Sequence, residues 1–259
     1  MQETVSEEAD APPTIKLFWQ TGCSSCMRAK EFLNRRRVDY ESINLASHPE
    51  RWDELLSLGA RSFPIVAIGS RFVSAQDLGD VAKFLNLDLN LIRLSPGEIV
   101  EKLTEILSAA QEAALAIPES ALDDCLPGRN RPHRHLVHHI FRIPEVFLEG
   151  IGGKKMVQKS YEVRPPQGMP ADQIVDFGRS VQQRLQEWWS TETDRMGMRE
   201  MDTDWGVKPM VVVLERTAWH AAQHTRQIEL VLRNMSIPIP RPLGEDTLKG
   251  LPIPEAVFF

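Results

Sequence analysis

Long apolar runs are missing from this sequence. No stretch reaches the roughly 20 consecutive apolar residues that a membrane-spanning helix needs. The first 13 residues are acidic and polar, without the basic segment and apolar core of a secretory leader. We therefore expect no membrane partner, no export and a cytoplasmic location, with residues 1–13 forming a disordered N-terminus.

Cysteine and net positive charge are also scarce. The chain has three cysteines, and its 30 Lys and Arg against 36 Asp and Glu give a formal net charge of −6. Two of the cysteines share one C-x-x-C, which in a reducing compartment indicates redox or metal chemistry and not a structural disulfide framework. Nucleic-acid binding depends on clustered Lys and Arg, so we expect no nucleic-acid partner.

Hydrophobic periodicity divides the 259 residues into two domains and a tail. Residues 14–90 predict the order β-α-β-α-β-β-α. Residues 95–235 predict four long helices, the first of which has start signals in Ser95, Pro96 and Glu98. Residues 236–259 predict a Pro-rich extended tail packed on a surface or a partner. The four helices are expected over Pro96 to about Ile117, Leu136 to Gly150, Ala171 to Trp189 and Val211 to Asn234.

The predicted fold class is α/β plus all-α, with a compact α/β domain followed by a four-helix bundle. Pro144 lies inside the second predicted helix of the bundle, and we expect it to kink that helix because proline removes a backbone hydrogen bond.

The C-x-x-C formed by Cys23 and Cys26 lies between a predicted strand and a predicted helix. The helix dipole and the first backbone N–H groups stabilise a thiolate at such a turn, and a cysteine one turn later can resolve a mixed disulfide. We therefore predict Cys23 as the nucleophile and Cys26 as the resolving thiol. The alternative is half of a zinc site, but no second ligand pair lies nearby in the sequence.

The chain resembles the glutaredoxin branch of the thioredoxin-fold family over about residues 14–87, through Phe18-Trp19-Gln20-Thr21-Gly22-Cys23-Ser24-Ser25-Cys26 and Ser62-Phe63-Pro64. The resemblance implies a cis peptide before Pro64, across from the reactive cysteine. It also implies that Phe63 pairs with the peptide of glutathione or a related thiol, and that Asp77 meets the amino end of that thiol. The alternatives are an ordinary strand-start proline and a simple helix N-cap at Asp77.

His220 and His224 lie one turn apart on one face of the fourth bundle helix, as two ligands of one metal require. Apolar flanks predict that they point into the bundle, and a surface pair is the alternative. Another helix must supply a third ligand. We choose His139 over His138 because it lies beside the apolar stripe of its helix. The unused histidines are expected to be solvated. The candidates for the third ligand are His133, His135, His138 and His139.

Residues 95–235 resemble the DinB-like superfamily, through His139-Ile140-Phe141-Arg142 and Trp219-His220-Ala221-Ala222-Gln223-His224-Thr225-Arg226-Gln227-Ile228. That superfamily includes transferases and isomerases that use glutathione, mycothiol or bacillithiol. The resemblance implies a divalent metal held by three histidines with open coordination positions. Zinc is the first expectation for three imidazoles, with nickel or iron as alternatives.

These features support three functional hypotheses. The leading one is a glutathione-linked, metal-dependent thiol transferase or isomerase, in which a metal at His139, His220 and His224 activates a thiol and the dithiol domain supplies or recycles glutathione. The second is a dithiol oxidoreductase whose bundle only recognises a client. The third is a metal- or redox-sensing adapter. The expected substrate is a small electrophile or a disulfide, and the bundle surfaces and tail are compatible with a homodimer.

Overall fold

The computed structural model of the protein describes residues 14–88, 93–126 and 130–258. The N-terminal segment that was predicted to be disordered, residues 1–13, lies outside the described residues. Within the described ranges, no helix has both the length and the apolar character required to cross a bilayer.

The first domain is a four-stranded mixed sheet with helices on both faces. The elements are β1 (Ile15–Trp19), α1 (Ser24–Arg35), β2 (Glu41–Asn44), α2 (Trp52–Ser57), β3 (Ile65–Ile68), β4 (Arg71–Ser74) and α3 (Leu78–Phe84). This order along the chain is the predicted one. In the sheet the strand order is β2-β1-β3-β4, in which β1 pairs in parallel with β2 and antiparallel with β3. Leu17 and Phe18 point to opposite faces of β1 and anchor two separate apolar cores.

The second domain is a bundle of four long helices around one apolar core. The helices are α4 (Pro96–Ala116), α5 (His133–Ile151), α7 (Ala171–Thr191) and α8 (Met210–Asn234). Both α7 and α8 pack against α4 and α5. The N-terminus of α4 has the predicted capping box, in which Ser95 and Glu98 each accept a backbone N–H of the other. Helix α5 continues through Pro144.

Four short α-helices and strands of the described residues were not predicted from the sequence. Helix α6 (Gln158–Tyr161) follows α5, and a hairpin of β5 (Glu200–Thr203) and β6 (Gly206–Pro209) precedes α8. Helix α9 (Glu245–Leu248) interrupts the tail that was predicted to be extended. The tail packs on this chain's own bundle, where Thr247 Oγ1 donates to Glu105 Oε2 at 2.9 Å.

Residues 254–258, which we call the strap, connect the two domains. On the bundle side, Gln223 Nε2 donates to the carbonyls of Ala256 and Val257 at 3.0 and 2.9 Å. On the other side, the backbone N–H of Glu255 donates to Glu31 Oε2 in α1 at 2.8 Å. The strap is thus hydrogen-bonded to both α8 and α1.

Direct contacts between the domains join α8 to α1 and to the segment before α3. The Arg28 guanidinium stacks over the fully buried ring of Trp219, 4.3 Å from its centroid. Arg216 Nε donates to Gln76 Oε1 at 3.0 Å. These buried contacts hold the first domain against the bundle. The face of the first domain that carries Cys23 is the one that contacts the bundle.

Candidate thiol and metal site

The dithiol lies at the N-terminus of α1. Cys23 is the N-cap residue, and its Sγ accepts the backbone N–H of Cys26 at 3.1 Å. Cys26 is fully buried, whereas Cys23 is partly exposed, and the two are joined by a disulfide. The geometry leaves Cys23 as the sulfur that a substrate can reach, because Cys26 is covered by the helix and the sheet.

The Phe63–Pro64 peptide is cis, as the resemblance implied. The backbone carbonyl of Pro64 accepts the N–H of Ala75 at 2.8 Å, and the carbonyl of Phe63 accepts Gln76 Nε2 at 3.3 Å. Both bonds tie this turn to the segment that leads into α3. Phe63 lies on the same cavity as Cys23.

Three imidazoles from two bundle helices converge. One ring nitrogen from each of His139, His220 and His224 lies within 4.8 Å of the others. His139 comes from α5, and the other two come from one face of α8. His224 Nε2 and His220 Nε2 are 3.0 Å apart. The structure therefore brings together the three histidines that were predicted as ligands.

Hydrogen bonds outside the cluster orient two of the rings. His139 Nδ1 lies 2.9 Å from the Tyr161 carbonyl, and His224 Nδ1 lies 2.7 Å from Gln227 Oε1. Because a carbonyl oxygen only accepts, each Nδ1 carries the proton and each Nε2 presents a lone pair to the cluster. These two lone pairs, together with the neighbouring imidazole of His220, form a donor set that suits a divalent metal.

Burial keeps these imidazoles neutral. It lowers the pKa of His224 from 6.5 to about 3, and the positive charge of Arg131 adds to this shift. Burial also lowers the pKa values of His139 and His220 well below 6.5. Neutral imidazole is the form that binds a metal, so the site requires no deprotonation near neutral pH.

Acid should destabilise the metal-free protein through this cluster. An imidazole whose pKa is lower in the folded chain takes up a proton on unfolding, so its stabilisation is complete above pH 6.5 and decreases as the pH falls toward about 3. The measurement is the free energy of unfolding in urea, followed by tryptophan fluorescence between pH 7 and 4. Its slope against pH should be smaller in the His224→Gln variant than in wild type, by up to about 1.4 kcal/mol per pH unit. The exposed His48→Gln substitution serves as the control. Equal slopes for wild type and His224→Gln would contradict this linkage.

Gln227 links the strap to the histidine cluster. Its Nε2 donates to the Val257 carbonyl at 3.0 Å, which leaves its Oε1 to accept from His224. Partners that orient a metal-ligating histidine typically contribute 10- to 100-fold in metal affinity.

We predict that Gln227→Leu weakens zinc binding by about 10- to 100-fold in competition with a chromophoric chelator. The matched control is Gln183→Leu on α7, whose amide bonds only to exposed Glu187. An affinity for Gln227→Leu within about twofold of that control would show that Gln227 has no orienting role.

The dithiol and the histidine cluster line the same cavity, which we call the chamber. It has a volume of about 360 Å³ and is bordered by Cys23, Phe63 and all three histidines of the cluster. The first domain contributes the start of α1 and the Phe63 turn, and the bundle contributes α5, α6 and α8. A thiol bound in the chamber therefore has both Cys23 and the histidine cluster around it.

Asp77 does not line the chamber. Its carboxylate caps α3 by accepting the Gly79 N–H at 2.8 Å, and it lies 3.9 Å from Lys208 Nζ of the bundle. It borders a separate small cavity with Arg28 and Glu215. The structure thus gives Asp77 the capping role, and its contact with the amino end of a thiol remains a prediction.

The remaining histidines on α5 are not all solvated, contrary to expectation. His133 and His138 are 3% and 8% exposed. His133 Nδ1 bonds to the Ala121 carbonyl, and His138 stacks on Phe177. Their burial follows from the width of the buried face of α5, which extends beyond the apolar stripe seen in the sequence.

Among the residues that border the chamber, Arg216, Gln76 and Tyr161 were not predicted from the sequence. Arg216 lies one turn before His220 on α8, a spacing that already places it on the same helix face. Gln76 and Tyr161 carry no comparable signal, because the packing of the two domains and the unpredicted helix α6 bring them to the chamber.

The fold and these two sites define a thioredoxin-fold dithiol domain joined to a helical bundle that carries a histidine cluster. Residues 15–73 match the glutaredoxin family model, and residues 101–228 match the model of the DinB superfamily. The chain therefore joins a glutaredoxin-like domain to a DinB-like four-helix bundle, as the sequence predicted.

Solved structures similar to this chain include two bundle proteins. A DinB-like protein from Bacillus cereus has 20% sequence identity and a TM-score of 0.46, with coverage of 56% of this chain and 95% of that chain. YfiT from Bacillus subtilis, described as "a probable metal-dependent hydrolase with an unusual four-helix bundle topology", has 16% identity and a TM-score of 0.43, with coverage of 58% and 95%. No curated protein matches the chain at a significant level.

Proposed function

We propose that the protein is a glutathione-linked, metal-dependent thiol transferase or isomerase. The observation that carries this proposal is the chamber, where Cys23 and the three clustered histidines surround one volume of about 360 Å³. A cavity of this size holds a small molecule together with part of a tripeptide thiol. The expected second substrate is a small electrophile or a mixed disulfide.

His139, His220 and His224 would hold the divalent metal, with zinc as the first choice and nickel or iron as alternatives. The fit rests on their neutral rings and on the lone pairs that Tyr161 and Gln227 direct into the cluster. A divalent metal bound there would lower the pKa of a coordinated thiol, so that a thiolate nucleophile exists near neutral pH.

The dithiol would release glutathione from a mixed disulfide inside the chamber. The Cys23 thiolate attacks the glutathione sulfur of a mixed disulfide, the bond between the two substrate sulfurs breaks, and the other half leaves as a thiolate. The thiolate of Cys26 then attacks Cys23 Sγ and expels glutathione as a thiolate, which forms the Cys23–Cys26 disulfide. Two further glutathione molecules, oxidised together to glutathione disulfide, restore the dithiol. This need for a reducing thiol pool supports a cytoplasmic location.

A dithiol oxidoreductase with a non-catalytic bundle is the second candidate. The thiol site is complete within the first domain, with accessible Cys23, buried Cys26 and the cis Phe63–Pro64 turn. Such a protein would reduce glutathione mixed disulfides without any help from the histidines.

Glutathione consumption with a panel of small electrophiles separates the two candidates. For the zinc-loaded transferase, turnover should fall at least about 100-fold in His220→Ala, because the ligand set is incomplete. Reduction of a glutathione mixed disulfide should persist in that variant. If no electrophile is turned over while disulfide reduction is normal, the oxidoreductase is the better account.

A further inference from the structure

We propose that Arg216 anchors a carboxylate of the ligand that occupies the chamber. The ligand class is therefore an anion that carries at least one carboxylate. This inference deepens the proposed function, and it relies on that function only for the identity of the thiol, glutathione, which itself has two carboxylates.

Arg216 is placed between the two reactive sites. It lies one turn before His220 on α8, and its side chain borders the chamber. It is only 5% exposed. Its Nε donates to Gln76 Oε1 at 3.0 Å, and the same oxygen accepts Ser25 Oγ at 2.8 Å. The guanidinium is thus hydrogen-bonded, through Gln76, to the C-x-x-C turn.

The charge of Arg216 has no protein counter-ion among the described residues. Its Nη1 is buried without a hydrogen-bond partner. Its guanidinium stacks over the ring of Tyr161, 5.0 Å from the centroid, and this contact supplies no opposite charge. The nearest acid along the helix, Glu215, borders a second small cavity together with Arg216, but its ion pair is with Arg93, at 3.4 Å.

A buried, uncompensated guanidinium is unfavourable, and an anionic ligand relieves that cost. The guanidinium is hydrogen-bonded through Nε to Gln76 and also has Tyr161 as a partner, whereas Nη1 has none. A carboxylate of the ligand would supply the acceptor that Nη1 lacks, in a charge-assisted hydrogen bond. The rest of the chamber favours the same sign of ligand, because the lining contains Arg131, Arg164 and Arg216 against the single carboxylate of Glu162 among the residues that the structure describes.

Binding of an unreactive thiol analogue to the metal-free full-length protein tests this inference. The probes for calorimetry are S-methylglutathione and its diethyl ester, in which both carboxylates are blocked. Wild type should bind the acid about 10- to 100-fold more tightly than the ester, as expected for a charge-assisted hydrogen bond. Arg216→Gln should lose most of this preference, whereas the control Arg179→Gln, on the exposed face of α7 and outside the chamber, should keep it.

Succinate tests whether the anchored carboxylate belongs to the electrophile and not to glutathione. The acid and the ester of S-methylglutathione could bind alike while the affinity of wild type for succinate exceeds that of Arg216→Gln by at least about 10-fold. In that case Arg216 anchors the electrophile, and the carboxylate site still stands. The inference is overturned if wild type binds neither carboxylate ligand, or if Arg216→Gln binds both as well as wild type does.

Two features keep this test independent of folding and of catalysis. The comparison of acid with ester on wild type needs no variant, so it shows whether the chamber prefers a carboxylate even if Arg216→Gln does not fold. Arg216→Lys keeps the charge but loses the planar edge, and it should show an intermediate preference. Because the protein is metal-free and the probe is unreactive, loss of metal-dependent turnover would refute the proposed function without affecting this result.

Discussion

Replacing Cys23 with Ser should reduce the rate of glutathione mixed-disulfide reduction by about three orders of magnitude or more. Cys23 is the partly exposed sulfur at the N-terminus of α1, and Cys26 is fully buried and cannot substitute for it. A serine hydroxyl does not ionise near neutral pH and cannot form a disulfide. The measurement is the initial rate of reduction of a small glutathione mixed disulfide.

The matched control for this substitution is Cys125→Ser, which removes the exposed free cysteine of the chain. That variant should keep the wild-type rate. Cys23→Ser should also retain its metal, because none of the three clustered histidines is changed. A rate above about one tenth of wild type in Cys23→Ser would contradict the assignment of the nucleophile.

The double variant His220→Ala/His224→Ala should lose its metal. Wild type purified without a polyhistidine tag is expected to carry about one divalent metal per chain, and the variant less than about a tenth of that. Removal of two of three imidazoles leaves a single nitrogen ligand, which does not hold a divalent ion at protein concentrations. Elemental analysis of the two proteins, prepared in parallel, measures the difference.

His138→Ala is the control for the metal measurement. His138 neighbours His139 in the sequence but stacks on Phe177, with ring centroids 5.1 Å apart, so its loss should leave the metal content unchanged. A metal-free wild type that also fails to take up zinc, nickel or iron would refute the metal centre and leave the dithiol oxidoreductase as the better account.

Much of the fold was predictable because local signals agree with the tertiary structure. The capping box at Ser95 and Glu98 fixed the start of α4, and helical periodicity located α5, α7 and α8 to within a few residues. The hairpin of β5 and β6 escaped prediction because strands of four residues carry too few positions for a clear alternation.

The candidate site was predictable in its parts but not as a whole. His139 could be chosen over His138 from its position beside the apolar stripe, and the structure places it with His220 and His224. No local pattern indicated that Cys23 faces these histidines. That arrangement depends on long-range contacts such as Arg216 with Gln76, whose two residues are separated by 140 positions in the sequence.

The strap shows the same limit. The prolines and the lack of periodicity of residues 236–259 predicted an extended tail, but not the surface that its last residues cover. Val257 and Phe258 border a small cavity together with Cys23 and Gln227. The strap therefore contributes to the wall of the thiol site, and its partners on α1 and α8 were not recognisable from the sequence alone.

The central claim is that a thiol in the chamber reaches the metal held by the histidine cluster. X-ray absorption at the zinc edge tests it most directly, on zinc-loaded Cys23→Ser/Cys26→Ser protein so that the dithiol contributes no sulfur. On addition of glutathione, we predict a new sulfur neighbour at about 2.3 Å beside the imidazole nitrogens at about 2.0 to 2.1 Å. A zinc environment that keeps only nitrogen and oxygen neighbours at saturating glutathione would contradict the claim.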